Sequence, residues 1–174
     1  MKPALLGALA IAAVSTLGDY LWANVIPHRI ALYGLLHGLV LFLTVGLCLG
    51  MPVRKPVAGA IGGAVVGLTS AGLFYVIQPL VGYAPAMFIL FFGLWIELGL
   101  LTGRVLQQRD SIRVVLLRSA LAAIGSGLGF YAISGIWFPF NPHGWDYAKH
   151  FVYWTIAYLP GFAALLIPVN RKSA

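Results

Sequence analysis

The chain has 174 residues, of which 61% are hydrophobic and 9% charged, with a mean hydropathy of +0.94. Soluble domains carry about 25% charged residues, so this composition excludes an ordinary soluble domain and leaves little room for an extramembrane one. The net charge of +7 arises from 11 Lys and Arg against 4 Asp and Glu, but the positive charges sit at the ends of apolar runs, which points to membrane topology and anionic headgroups and excludes nucleic acid as the partner.

In chain order, the first apolar run extends from Ala4 to about Ile26. It is too long for the apolar region of a signal peptide and reads as a first span, with Asp19 in its outer half and Trp22 near the far interface. Asn24, Pro27, His28 and Arg29 form a tight external turn. A second span from about Ile30 to Met51 carries His37, with Thr44 and Cys48 following on one face. Pro52-Val-Arg-Lys-Pro56 closes it with two positive charges and two prolines.

The third span runs from about Val57 to Val81. Gly59, Gly63, Gly67 and Ala71 recur every fourth residue, so one helix face is almost bare backbone. In lipid such a face lets another helix approach closely. Gln78-Pro79 closes this span, and Gly82-Tyr-Ala-Pro85 reads as a short external turn. The fourth span, about Ala86 to Leu106, holds Glu97 near its middle and runs into a loop bearing Arg104, Arg109 and Arg113.

The fifth span, about Val114 to Phe138, repeats the small-residue spacing at Ser119, Ala123 and Gly127. Arg118 lies one turn inside it and can snorkel to the edge. The longest external loop, Pro139 to His150, collects Trp145 and Tyr147 with His143, Asp146 and His150, beside Asn141 and Lys149. The sixth span, about Phe151 to Val169, contains Pro160, which removes the hydrogen bond to Ile156 and should kink it.

Each span is long enough to cross a hydrocarbon core of about 30 Å. Lys2, Arg54 with Lys55, the arginine loop, and Arg171 with Lys172 all fall on one side. Short loops rich in Lys and Arg stay cytoplasmic. The expected architecture is therefore all-α, a bundle of six transmembrane helices with both termini cytoplasmic. Residues 1–174 form one domain, in the inner or plasma membrane of a prokaryote.

Ionisable residues inside a membrane are expensive and mark candidate sites. Here they are Asp19, His37 and Glu97. Asp19 and His37 fall about 5 to 6 Å outward of mid-membrane at about 1.5 Å per residue, on adjacent antiparallel spans, so a hydrogen-bonded pair is geometrically possible. It would serve as a helix clamp or as an anchor for a ligand headgroup. Glu97 is either a ligand hydroxyl acceptor or an acid bonded to a Ser or Thr of a neighbouring helix. Gln78 and Tyr131 complete a set of scattered hydrogen-bonding points among apolar walls. His143, Asp146 and His150 match no zinc signature and read as interfacial polarity. Trp154 and Tyr158 read as bundle core. Ser126, between Gly125 and Gly127, lacks a partner histidine at its depth and reads as packing. With Cys48 alone, neither an intrachain disulfide nor a cysteine zinc site can form. No catalytic motif, metal site or cofactor is expected.

The stretch GLWIELGLLTGR, Gly93 to Arg104, resembles the corresponding stretch of the Insig family, six-span sterol-responsive membrane proteins in which a Gly-Leu-Trp span also enters an arginine-bearing cytoplasmic loop. Gly129-Phe-Tyr-Ala-Ile-Ser-Gly135, the aromatic loop with Asp146 and Tyr147, and the span with Leu159-Pro160 follow the plan of that family, as a bacterial-type homologue would. The resemblance implies a sterol- or lipid-binding cavity inside the bundle, without catalysis. The family's acidic segment between the third and fourth spans is replaced here by Gln78-Pro79-Leu80-Val81. No individual ligand residue is carried over from the family.

A lipid, sterol- or diacylglycerol-like, suits an interior with few polar points, because ligand sites are mostly apolar with a few placed polar groups. The chain is thus expected to be a non-enzymatic lipid sensor or accessory protein with an apolar cavity open to the outer leaflet. Its partners would be membrane lipid and either another membrane protein or further copies of itself. Three alternatives stand beside this: a substrate-capturing subunit of a small-molecule importer, a lipid-modifying enzyme using Asp19, His37 and Glu97 as its acid–base set, and a structural subunit of a larger complex, the reading to which a fully packed bundle without a cavity would lead.

Overall fold

The computed structural model describes residues 2–25, 31–107, 111–134 and 143–166. Among these there are six long helices and no strand: α1 (Lys2–Asn24), α2 (Ala31–Gly50), α3 (Pro56–Val81), α4 (Tyr83–Leu100), α5 (Ile112–Ser134) and α6 (Asp146–Leu166). The helices run up and down in sequence order around a closed ring, each packed on the next and α6 packed back on α1. α1 to α5, two of them lengthened by a short terminal turn, are long and apolar enough to cross a membrane, which points to an integral membrane protein. α6 has the length, with Asp146, Lys149 and His150 in its first two turns.

The α2–α3 contact is the tightest in the ring, and its cause is backbone chemistry. Gly59, Gly63 and Gly67 of α3 lie against Gly46, Phe42 and Gly38 of α2, near enough that a methyl group on any of these glycines would strike a carbonyl oxygen of the other helix. The small face expected on α3 is thus met by a second small face on α2, Gly38, Gly46 and Gly50. The face at Ser119, Ala123 and Gly127 is also occupied. Ser119 fills the space beside Gly99, Ala123 is fully buried, and Phe92 covers Gly127.

Three boundaries differ from the sequence expectation. Gly82 alone separates α3 from α4. Its φ of 90° is open to glycine and unfavourable for other residues, and its N–H caps the Gln78 carbonyl. α4 passes into a π-helical turn, Leu101–Gln107, where Thr102 bonds back to Leu98 and bare Gly103 admits Val115. α6 starts at Asp146, five residues before the expected Phe151. Asp146 accepts the His143 N–H at 3.2 Å and the Lys149 ammonium at 2.9 Å. These contacts, Lys149 first, hold its carboxyl below the ordinary aspartate range. An acidic first turn favours a helix start. The remaining charges of the arginine loop and the tail (Arg109, Arg171, Lys172) lie outside the described residues, as do Pro27, His28 and Arg29.

Arg118 reaches across to α6. Its Nε donates to the Ala164 carbonyl at 2.9 Å and its Nη2 to that of Leu165 at 2.7 Å. It therefore gives charged donors to carbonyls of the last described turn of α6. α6 continues helically through Pro160, where the N–H of Gly161 finds Ser126 Oγ at 2.8 Å. Buried Ser126 thus supports the backbone beside a proline.

Candidate functional site

The most polar part of the bundle lies where α1 finishes and α6 begins. α1 turns Ala4, Gly7, Ala8, Ile11, Ser15 and Gly18 inward at spacings of three and four, and Asp19 and Asn24 extend this side upward. α6 answers with Tyr147, His150, Trp154 and Tyr158, also three and four apart. Asp19 Oδ2 accepts two hydrogen bonds, from His150 Nδ1 and Trp154 Nε1, both at 2.8 Å. His150 is 3% exposed, while the Asp19 side chain keeps 26% of its surface open. Among the described residues Asp19 Oδ1 makes no hydrogen bond, so one carboxylate oxygen is fixed by two donors and the other is open. One turn higher, Asn24 Nδ2 donates to the Tyr147 hydroxyl, and the Tyr20 and Tyr147 rings meet edge to face at 5.4 Å.

The pair expected between Asp19 and His37 is not the one that forms; Asp19 bonds His150. The reason is the early start of α6. A helix beginning at Asp146 brings His150 down to the depth of Asp19, whereas a loop running to His150 would leave it at the rim. His37 is nevertheless a neighbour. Its ring lies against Gly18, stacks on Tyr33 at 5.8 Å, and is within electrostatic range of Asp19. The Tyr33 hydroxyl donates to the Gly18 carbonyl at 2.7 Å, and its ring meets Trp22 at 4.8 Å. Together these rings line the seam between α1 and α2, the least closely packed neighbours in the ring.

The other three candidates stand apart from this cluster. Glu97 lies half-buried on α4, with Thr69 Oγ1 of α3 at 3.4 Å from its Oε2. Gln78 is in the last turn of α3, where its backbone carbonyl caps Gly82. Tyr131 is 63% exposed, its ring beside Phe88 at 5.1 Å. Only Asp19 and His37 are brought together. His150, Trp154 and Tyr33 were not among the expected site residues, although the spacing of Tyr147, His150, Trp154 and Tyr158 already carried the face on which two of them sit.

Much of the expected interior space is filled by rings. Phe91 stacks on Phe130 at 4.5 Å, Trp95 meets Tyr158 at 5.9 Å and Phe162 at 6.1 Å, and Phe130 stacks on Trp154 at 5.7 Å. Trp95, Tyr158 and Phe162 are at most 1% exposed. A cleft of about 10 Å³ lies beside Thr102, Gly103 and Arg118, and an open groove of about 350 Å³ runs along α6 past Trp145, Lys149 and Tyr153. None of the five expected residues lines either.

Among the described residues the arrangement is an all-helical ring, five of its helices long and apolar enough to cross a membrane, with an oriented carboxylate near one end of the bundle. No family model, curated protein or solved structure matches the chain.

Proposed function

We propose that this chain is a non-enzymatic integral membrane protein of six spans, both termini cytoplasmic, that binds a lipid through the cluster at Asp19. The observation that carries the reading is the open Oδ1 of Asp19, beside a carboxylate oxygen held by His150 and Trp154. A half-buried acceptor with an unused lone pair can take a donor from a bound molecule, and a lipid hydroxyl of the sterol or diacylglycerol kind supplies one. The ligand body lies along the α1–α2 seam, against Tyr33 and His37, and not at the ring-filled centre. The resemblance of Gly93–Arg104 to the Insig family points the same way. Gln78, Glu97 and Tyr131 stand on other helices and take no part in this headgroup site.

The test is native mass spectrometry of the protein released from detergent. The wild type should retain one lipid. His37→Leu should lower the bound fraction about three- to tenfold, the range of the one net hydrogen bond that the His37 ring gives the ligand beside Asp19, without lowering the melting temperature, because His37 makes no hydrogen bond among the described residues. Glu97→Leu should leave retention unchanged. A lipid-free wild type, or retention indifferent to His37→Leu, overturns the reading.

The topology has its own test. Single cysteines at Ser111 and Trp145, in a Cys48→Ala background, should label from opposite sides of a sealed vesicle, since positive charges hold the arginine loop inside. Labelling from one side at both positions would remove α5 as a span, and the six-span topology with it.

A further inference from the structure

Glu97 is where the ring presents an acid to its surroundings at mid-height. The α4 span, Tyr83–Gln107, has its midpoint at residue 95, two residues from Glu97, and Thr69 lies at the middle of α3, Pro56–Val81. Both are thus at the centre of the hydrocarbon, where an ionisable group is most expensive. Yet neither is enclosed: Glu97 is half-buried and Thr69 exposed. Their mutual contact is a poor one. The Thr69 hydroxyl has one hydrogen and three acceptors in reach, the Val65 and Val66 carbonyls at 3.0 Å and Glu97 Oε2 at 3.4 Å. Glu97 Oε1 makes no hydrogen bond among the described residues. The chain by itself therefore leaves a carboxyl group under-satisfied in lipid.

The backbone around this carboxyl is bare on the same side. Gly93 precedes Glu97 by one turn of α4, and Gly72 follows Thr69 by one turn of antiparallel α3, so the two glycines sit at one level. A methyl group built on either meets nothing within 4 Å. Most other helical glycines of the chain are pressed against a neighbouring element, whereas these two face open space. α3 is also the least enclosed of the five apolar spans, with 22% of its window buried. Small residues allow close helix approach in lipid, and a polar side chain beside them supplies the hydrogen bond.

We propose that the α3–α4 face around Glu97 is the docking surface for a second copy of this chain. The occupant follows from the chemistry of the face. A two-fold interface must be self-complementary, and a carboxylic acid in an apolar medium is its own complement: each O–H donates to the carbonyl oxygen of the other. Two copies related by an axis along the α3–α4 seam bring Glu97 against Glu97 at equal depth, while Gly72 and Gly93 let the backbones close to the distance this requires. The inference is independent of the ligand site at Asp19.

The experiment uses the full chain in lipid nanodiscs, with an Ile89→Cys reporter on the same face of α4 in a Cys48→Ala background. Ile89 is half exposed and one turn from Gly93. Oxidation should give a two-chain product, and a reporter at Leu117 on α5 should not. Native mass spectrometry should show the same two-chain species without the reporter. Glu97→Leu should weaken association on the order of tenfold, the range for interhelical hydrogen bonds in lipid. Glu97→Gln should retain most of it, because carboxamides pair in the same reciprocal way. Gly93→Leu, whose Cβ meets nothing within 4 Å inside one copy, should abolish association without lowering the melting temperature of the single chain. A purely single-chain wild type, a partner that is a different protein, or association indifferent to both Glu97→Leu and Gly93→Leu overturns the proposal.

Discussion

Gly63→Ala is expected to lower the thermal midpoint of the bundle sharply, and Gly63→Leu to prevent its recovery in folded form. The added methyl would fall inside contact distance of the Phe42 carbonyl oxygen and of the Gly46 backbone. Backbone atoms cannot rotate away as a side chain can, so the two helices must separate along their length. Overpacking usually costs about 1 to 3 kcal/mol; here the obstacle is rigid, and about 3 kcal/mol or more is expected for the alanine variant. Gly46→Ala should behave alike, because it strikes Gly59. Gly72→Ala is the internal control, since its methyl meets open space and alanine is the better helix former by about 1 kcal/mol. Melting curves of the four proteins in one detergent decide the matter. Equal midpoints for Gly63→Ala and Gly72→Ala would mean that α2 and α3 do not meet as described.

Asp19→Ala should produce the second large effect. It removes the acceptor shared by His150 and Trp154 and leaves both N–H groups to find other partners in a region where His150 is 3% exposed. A buried polar group deprived of its partner costs about 1 to 3 kcal/mol. The double variant Asp19→Ala, His150→Ala should recover part of the sum, with a coupling of about 0.5 to 3 kcal/mol as expected for residues in direct contact. Asp19 and His37, which share a neighbourhood and no hydrogen bond, should be close to additive. Strict additivity for Asp19 with His150 would dissolve the clamp between the first and last helices, and the oriented carboxylate of the ligand site with it.

Of the candidate site, half was legible in the residues. Asp19 stood out because a carboxylate inside an apolar run has no innocuous place in lipid. Its partner did not, because His150 follows a stretch of Pro, Gly and Asn that reads as loop, and its depth depends on where α6 starts. That start rests on local contacts of Asp146 with His143 and Lys149, which no hydrophobic period reports. Glu97 reads either as an acceptor for a ligand hydroxyl or as an acid beside a Ser or Thr of a neighbouring helix, and Thr69 is the hydroxyl that stands near it. Which hydroxyl, and on which side of the ring, required the α3–α4 register.

By itself the sequence determined the class of structure and its helices. Apolar runs of membrane length can satisfy their backbone only as helices in lipid, and the four-residue spacing of Gly59, Gly63, Gly67 and Ala71 made close packing of α3 necessary wherever it found a partner. The partner, the closed ring that seats α6 on α1, and the filling of the centre by Trp95, Tyr158 and Phe162 were decided only by the tertiary structure. The physical reason is that hydrophobicity is nearly uniform around these helices and so does not say which face turns inward. That choice falls to shape and to a few hydrogen bonds, the bare backbone of Gly46 against Gly63 and the carboxylate of Asp19 against His150 and Trp154, and each of these joins residues far apart in the chain.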